Sequence, residues 1–153
     1  MCYGYRSVLE VYVPASPSSW PGFRWASAGE ARRPLVAIIE DDQAISLMYR
    51  LQLEQAEYDV ALAMDGASGL SLIRERRPDL VVLDLRLPRM EGLDLLRELR
   101  SEGGFEGIPV IVVSNYADHS LVEEALALGA REYHVKSRLT PPQLSERIRT
   151  YLR

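Results

Sequence analysis

Leu80-Val81-Val82-Leu83-Asp84-Leu85-Arg86-Leu87-Pro88 is the stretch on which the reading of this chain turns. An unbroken apolar run ends on a carboxylate, and Pro88 closes the segment. A strand that is apolar without alternation is buried on both faces, which points to a parallel sheet covered by helices on each side. The same texture recurs at 35–39, 58–63, 110–113 and 132–135. Between these runs lie segments of helical period, predicted as helices over 43–56, 67–76, 93–101, 119–128 and 141–152. Ala44, Met48 and Leu51 share one face of the first helix, and Leu144, Ile148 and Leu152 share one face of the last. The prediction is an α/β fold, a five-stranded parallel sheet, doubly wound, with helices on both faces.

Local signals place the joints. Thr140-Pro141-Pro142-Gln143 supplies an N-cap hydroxyl, proline in the first turn and a glutamine at the capping-box position, so the last helix should begin at or near Pro141. Gly129 reads as a left-handed residue closing the fourth helix, and Asp65-Gly66 as a turn leaving the second strand. Residues 1–33 mix Pro, Ser, Gly, Trp20 and Trp25 without a period, and read as an N-terminal extension, poorly ordered or the product of an upstream start codon. Their Trp and Tyr content leaves a docking segment open. Residues 34–153 form the domain.

The chain has 153 residues, enough for one buried core and too few for two ordinary domains. Its formal charge is −4; residues 1–34 carry four Arg against two Glu, which leaves −6 for the remainder. A body of that sign is a poor surface for gripping nucleic acid, so no direct DNA contact is expected. Cys2 is the only cysteine, which excludes an intramolecular disulfide and fits a reducing cytoplasm. No apolar run approaches a membrane span. Arg32-Arg33 resembles a twin-arginine signal only until the apolar run stops at Glu40-Asp41-Asp42.

In sheets of this class ligands bind beyond the carboxyl ends of the strands, so the residues there are read for chemistry. Glu40, Asp41 and Asp42 follow the first strand, and Asp84 follows the third. Carboxylates gathered at one edge repel each other and need a counter-ion. A hard divalent cation answers that need, and magnesium suits a site with few carboxylates, retained waters and a phosphate oxygen. Asp42 by itself is better read as a helix-capping acid. Ser114 ends the fourth strand and Lys136 the fifth, a hydroxyl and an ammonium that can complement a phosphoryl group. Taken singly, such a serine is ordinarily a turn residue and such a lysine solvated surface. Lys136, however, is the one lysine among 18 basic residues, so a compact point charge is specifically required at that strand end.

Together these residues resemble the receiver domain of two-component signalling, across 34–153. Ile38 to Asp42 is similar to the family's first acidic motif, Pro78 to Gly92 to its phosphoacceptor segment, Pro109 to Ser114 to its switch-hydroxyl strand, and Gly129 to Ser137 to its aromatic-and-lysine strand. The resemblance implies a flavodoxin-like strand order 2-1-3-4-5 and a phosphorylatable Asp84. The phosphoryl group would come from a sensor histidine kinase, a histidine phosphotransfer protein or a small phosphodonor. It implies Mg2+ held by Asp41, Asp84 and the backbone carbonyl of Arg86, with Glu40 supporting through water. It implies Ser114 and Lys136 on the phosphoryl oxygens, and Tyr133 as a switch that moves inward with Ser114. Without the resemblance, Tyr133 reads as a half-buried edge residue with a wet hydroxyl.

Four positions stand out against the family pattern. Asn115 stands where a small residue is usual, which bears on how donors reach Asp84. Ser137 replaces the usual proline after the lysine, so a cis bond there would lack proline's help. Arg86 and Tyr116 occupy positions that modulate dephosphorylation, and groups of their bulk and charge imply a phosphorylated state that outlasts minutes. The chain ends soon after the fifth helix, so the expectation is a stand-alone regulator, not an enzyme beyond its own phosphorylation and dephosphorylation. Its output passes through another protein, with homodimerisation left open. The competing readings are a constitutive interaction module and an aspartyl-phosphate phosphatase. The phosphatase wants a second acid where Arg86 stands. A flavin binder would need Gly, Ser or Thr in the acidic first loop.

Overall fold

The computed structural model of the protein describes residues 32–152. The expected N-terminal extension lies outside them except for Arg32 and Arg33. The described part alternates as β1 (Leu35–Ile39), α1 (Gln43–Gln55), β2 (Asp59–Ala63), α2 (Gly66–Arg76), β3 (Leu80–Leu83), α3 (Gly92–Glu102), β4 (Val110–Ser114), α4 (His119–Ala127), β5 (Glu132–Val135) and α5 (Pro141–Tyr151). All strands pair in parallel, in the order β2-β1-β3-β4-β5. The α/β class and the strand order are those expected.

Successive strand residues face opposite sides of the sheet, and both sides are covered. Ala37, Ile39, Val81, Leu83 and Val112 pack with Ile73, Leu95, Leu96 and Leu99 of α2 and α3. Val36, Ile38, Val82, Ile111 and Val113 pack with Tyr49 and Leu53 of α1 and Leu144 and Ile148 of α5. Neighbours such as Ile38 and Ile39, each 1% exposed, are thus both core residues. Each fully buried Ile or Leu is worth about 1.5–3 kcal/mol, which is why these strands tolerate no polar interruption.

Two local features go beyond the sequence reading. The face shared by Ala44, Met48 and Leu51 in the first helix is the outer one: Met48 is 43% and Leu51 61% exposed, and Ser46, Tyr49 and Leu53 are the buried residues. The helix carries two apolar stripes, and spacing alone ranks neither above the other. Asp65-Gly66 is not a free turn. Asp65 caps α2, its side chain accepting from the Ser68 amide at 2.8 Å, and Gly66 opens the helix. Elsewhere the local reading holds. Thr140 and Gln143 form the capping box on α5, and Gly129 has φ +101°. No peptide bond among the described residues is cis, Lys136-Ser137 included.

Gly92 fixes the loop after β3. A Cβ there would lie 2.5 Å from the carbonyl oxygen of Asp84 and 2.8 Å from Leu85 Cα. Gly92→Ala is therefore expected to cost about 1–3 kcal/mol, as overpacking against backbone does, and a urea melt measures it.

The edge strand β5 is tied to α5 by Glu132. It accepts from Arg147 Nε at 2.8 Å, from the Tyr151 hydroxyl at 2.8 Å and pairs with His134 Nε2 at 2.6 Å. Arg147 above all, then His134 and Tyr151, holds the Glu132 carboxyl down at about 2 against the opposing effect of burial. A carboxyl lowered in the folded state stabilises above its unfolded value, near 4.3, and that contribution drains away as pH falls towards 2. Glu132→Gln is expected to cost about 1–2 kcal/mol at pH 7. The gap to wild type should close between roughly pH 4.5 and 2, as pH-dependent melts will show.

Candidate functional site

The parallel register of β1 and β3, with Ile39 opposite Leu83, places the next residue of each strand side by side. Those residues are Glu40 and Asp84, and the Asp84 amide donates to the Ile39 carbonyl at 3.0 Å. Both side chains are buried, Glu40 at 3% and Asp84 at 5% exposure. Asp41 follows on the exposed rim. Carboxylate oxygens of Glu40, Asp41 and Asp84 all lie within 4.8 Å of one another. Asp42 stands apart from this group: it is the N-cap of α1, accepting from the Ile45 amide at 3.1 Å.

Lys136 arrives from the far edge of the sheet. Ser114 pairs with Val135 in the register of β4 and β5, so the next residue projects over the same strand ends. Its Nζ lies 2.6 Å from Glu40 Oε2 and 2.9 Å from Asp84 Oδ2, with 9% of the side chain exposed. Burial works against the ammonium, but the bonds to Glu40 and Asp84 outweigh it and raise its pKa. Glu40 shows the reverse balance. Burial, with the neighbouring Asp84 charge adding to it, pushes its carboxyl up to about 7 although Lys136 and the Asp42 amide favour ionisation. The lysine that the sequence singled out is thus the counter-ion of the acidic pair, a role spacing could not reveal.

The remaining residues close the rim. Ser114 is fully buried, and its Oγ accepts the Tyr116 amide at 3.3 Å. The Arg86 amide is 3.3 Å from Asp84 Oδ1. The Tyr133 ring packs half-buried against the α2–α3 side of the core, and its hydroxyl donates to the Tyr116 carbonyl at 2.6 Å. Burial, more than the charges nearby, raises the pKa of that hydroxyl. Asn115 and Tyr116 are exposed. The side chains of Glu40, Asp41, Asp84, Ser114 and Lys136 and the Arg86 amide thus gather at one edge of the sheet, with the Tyr133 hydroxyl on the loop after Ser114. The hard oxygen donors, one of them open to solvent, are compatible with a divalent cation. Sequence reasoning missed Tyr49, a buried tyrosine of α1. Its pKa is raised by burial, with Lys136, Glu40 and Asp84 all close enough to act on it. The period of α1 carries no signal for this, because a tyrosine among leucines and methionines reads as one more apolar residue.

This arrangement has counterparts. The family model of the response regulator receiver domain matches residues 36–149. The chain belongs to the response-regulator receiver family. It is 35% identical over 120 residues to the phosphate regulon transcriptional regulatory protein PhoB of Rhizobium meliloti, covering 78% of this chain and 52% of that protein. It is 35% identical over 124 residues to the DNA-binding response regulator MtrA of Mycolicibacterium smegmatis, covering 81% of this chain and 53% of that one. The receiver thus spans about half the length of the curated relatives it matches. Among solved structures, a CheY-like receiver domain protein from Methanospirillum hungatei superposes with a TM-score of 0.72 at 30% identity, covering 77% of this chain and 92% of that one. No helix among the described residues is long and apolar enough to cross a membrane.

Proposed function

We infer that Asp84 is a phosphoacceptor controlled by a histidine kinase or a histidine phosphotransfer protein. The observation that carries this is the buried Asp84 carboxylate bonded to Lys136 beside Glu40, in a receiver domain. A carboxylate oxygen of Asp84 attacks phosphorus as the bond to the donor's imidazole nitrogen breaks. The electron pair stays on that nitrogen, which takes up a proton. Little covalent work is asked of the protein, so the site acts by positioning and by neutralising charge.

Magnesium fits the donor set: Asp41, Asp84 and the Arg86 carbonyl would hold it, with Glu40 in support, and it would supply neutralisation of charge on the phosphoryl oxygens. Lys136 shifts from its carboxylate partners to one of the new phosphoryl oxygens, and Ser114 donates its hydroxyl to another. The protein turns over nothing beyond its own phosphorylation and dephosphorylation. The new state is read by contact with another protein, or a second copy, at the face of α4, β5 and α5. DNA binding is named for MtrA; the acidic body of this receiver is not assigned it. A cytoplasmic location follows from a kinase partner.

Intact-mass spectrometry after incubation with acetyl phosphate tests the reading. A gain of one phosphoryl group that requires magnesium supports it. No gain in either condition would leave the constitutive interaction module as the better account.

A further inference from the structure

Tyr49 brings a hydroxyl into the core between α1 and the sheet. The residue is 2% exposed and packs in the cluster that holds Ile38, Val82, Val113 and Leu139. Among the described residues its hydroxyl makes no hydrogen bond. A buried tyrosine ordinarily finds a partner for its hydroxyl, and a leucine would fill an apolar position without needing one.

The fold says where that hydroxyl lies. The amides of Glu40 and Asp84 still pair with the neighbouring strands, so the alternation of β1 and β3 runs one residue past their ends. It sets Glu40 on the side of Ile38 and Asp84 on the side of Val82, which is the side α1 covers. α1 begins at Gln43, just beyond the carboxyl end of β1, and a helical side chain leans towards the N-terminus of its helix. The Tyr49 ring therefore leans towards the strand ends, beneath the two acids. Burial is the main cause that raises its pKa, and the charges of Lys136, Glu40 and Asp84 also reach it. Lys136 has a valence to spare at the same place. Two of its three N–H groups go to Glu40 Oε2 at 2.6 Å and Asp84 Oδ2 at 2.9 Å, and among the described residues the third has no partner.

We propose that Tyr49 is a positioning residue for Lys136: its hydroxyl holds the third N–H through one buried water and so sets the place from which the ammonium moves to a phosphoryl oxygen. The second half of this rests on Asp84 being the acceptor; the tether itself does not. Such a water accepts from the ammonium and donates to the Tyr49 oxygen, and Glu40 belongs to the same cluster and can take its second proton. Three partners are what an interior water ordinarily has. The tether matters because Asp84, one of the lysine's two carboxylate partners, is the group consumed when the phosphoryl arrives. A bond to Tyr49 does not depend on that carboxylate. Lys136 then stays at the strand ends through the transfer and has only a short way to move.

Tyr49→Phe tests this, because it deletes the hydroxyl and keeps the ring. Lys136 is the only lysine in the chain, so NMR of protein labelled with isotopic lysine shows a single side-chain ammonium. In Tyr49→Phe the exchange of its protons with water should quicken by about three- to ten-fold, the worth of one hydrogen bond. Phosphoryl uptake from acetyl phosphate with magnesium should slow by about the same factor. The urea midpoint should fall, and adding Tyr49→Phe to Lys136→Ala should lower it no further than Lys136→Ala alone, since both remove one bridge. A hydroxyl without this role is only a polar atom left in an apolar core. Its removal would then raise the urea midpoint and leave the lysine's exchange unchanged, and either result overturns the tether, as does a loss that adds in the double variant. Quicker exchange with unaltered uptake would refute the part in transfer. Should wild type take up no phosphoryl group, the acceptor reading fails, and the lysine exchange still decides whether Tyr49 holds Lys136.

Discussion

Asp84→Asn is expected to take up no phosphoryl group at all from acetyl phosphate and magnesium, while melting at or above the wild-type temperature. The first half follows from chemistry. An amide of nearly the same shape has no anionic oxygen to attack phosphorus, and the other carboxylates of the edge have other duties: Asp41 is on the solvent rim and Asp42 caps α1. The second half follows from electrostatics. Asp84 is one of the causes that push the neighbouring Glu40 carboxyl upward, so removing its charge relieves repulsion between two buried acids. Lys136 keeps its 2.6 Å partner in Glu40. Loss of phosphorylation with an intact melt separates chemistry from misfolding. A mass gain that persists in the variant would move the acceptor to another residue and sink the assignment.

How far the sequence reaches can be followed along β1 and its neighbours. Leu35 to Ile39 is legible because burial on two faces leaves a continuous apolar run, and the acid that follows marks the functional edge. The α5 start is legible because its cap chemistry is local, contained within Thr140 to Gln143. The Asp65-Gly66 misreading arises because an Asx turn and a helix N-cap begin with the same bond, an Asp side chain accepting a nearby amide. Which face of α1 is buried was not legible, because the contacts that select Tyr49 and Leu53 come from α5 and the sheet, far along the chain. The same holds for Lys136. Its isolation among arginines announces a special site, but its partners lie 52 residues away at Asp84 and farther still at Glu40. The Arg86 guanidinium lies over the Tyr116 ring, 4.8 Å from its centroid, and this contact belongs here too, since nothing in either loop names the other.

Removal of the Lys136 ammonium should have the largest effect on the fold itself. In Lys136→Ala, stability without divalent cation is expected to fall by about 3 kcal/mol, the lower end for breaking a buried ion pair, read by urea melts. Two carboxylates then face each other with side chains only 4% and 6% exposed and no counter-ion between them. The lower end applies because Asp41 opens the cluster to solvent on one side. If charge is the cause, adding Glu40→Gln to the lysine variant should recover most of the loss. Magnesium should also stabilise the variant more than the wild type, since the cation no longer competes with an ammonium. A loss that neither Glu40→Gln nor magnesium reduces would mean that the lysine's packed stem matters, not its charge. Lys136→Arg refines the point. An arginine keeps the charge but brings a wider planar fork into a space shared by two carboxylates. It should therefore restore stability better than it restores phosphoryl uptake. In a chain whose other basic residues are all arginine, that difference would explain why this position alone is lysine.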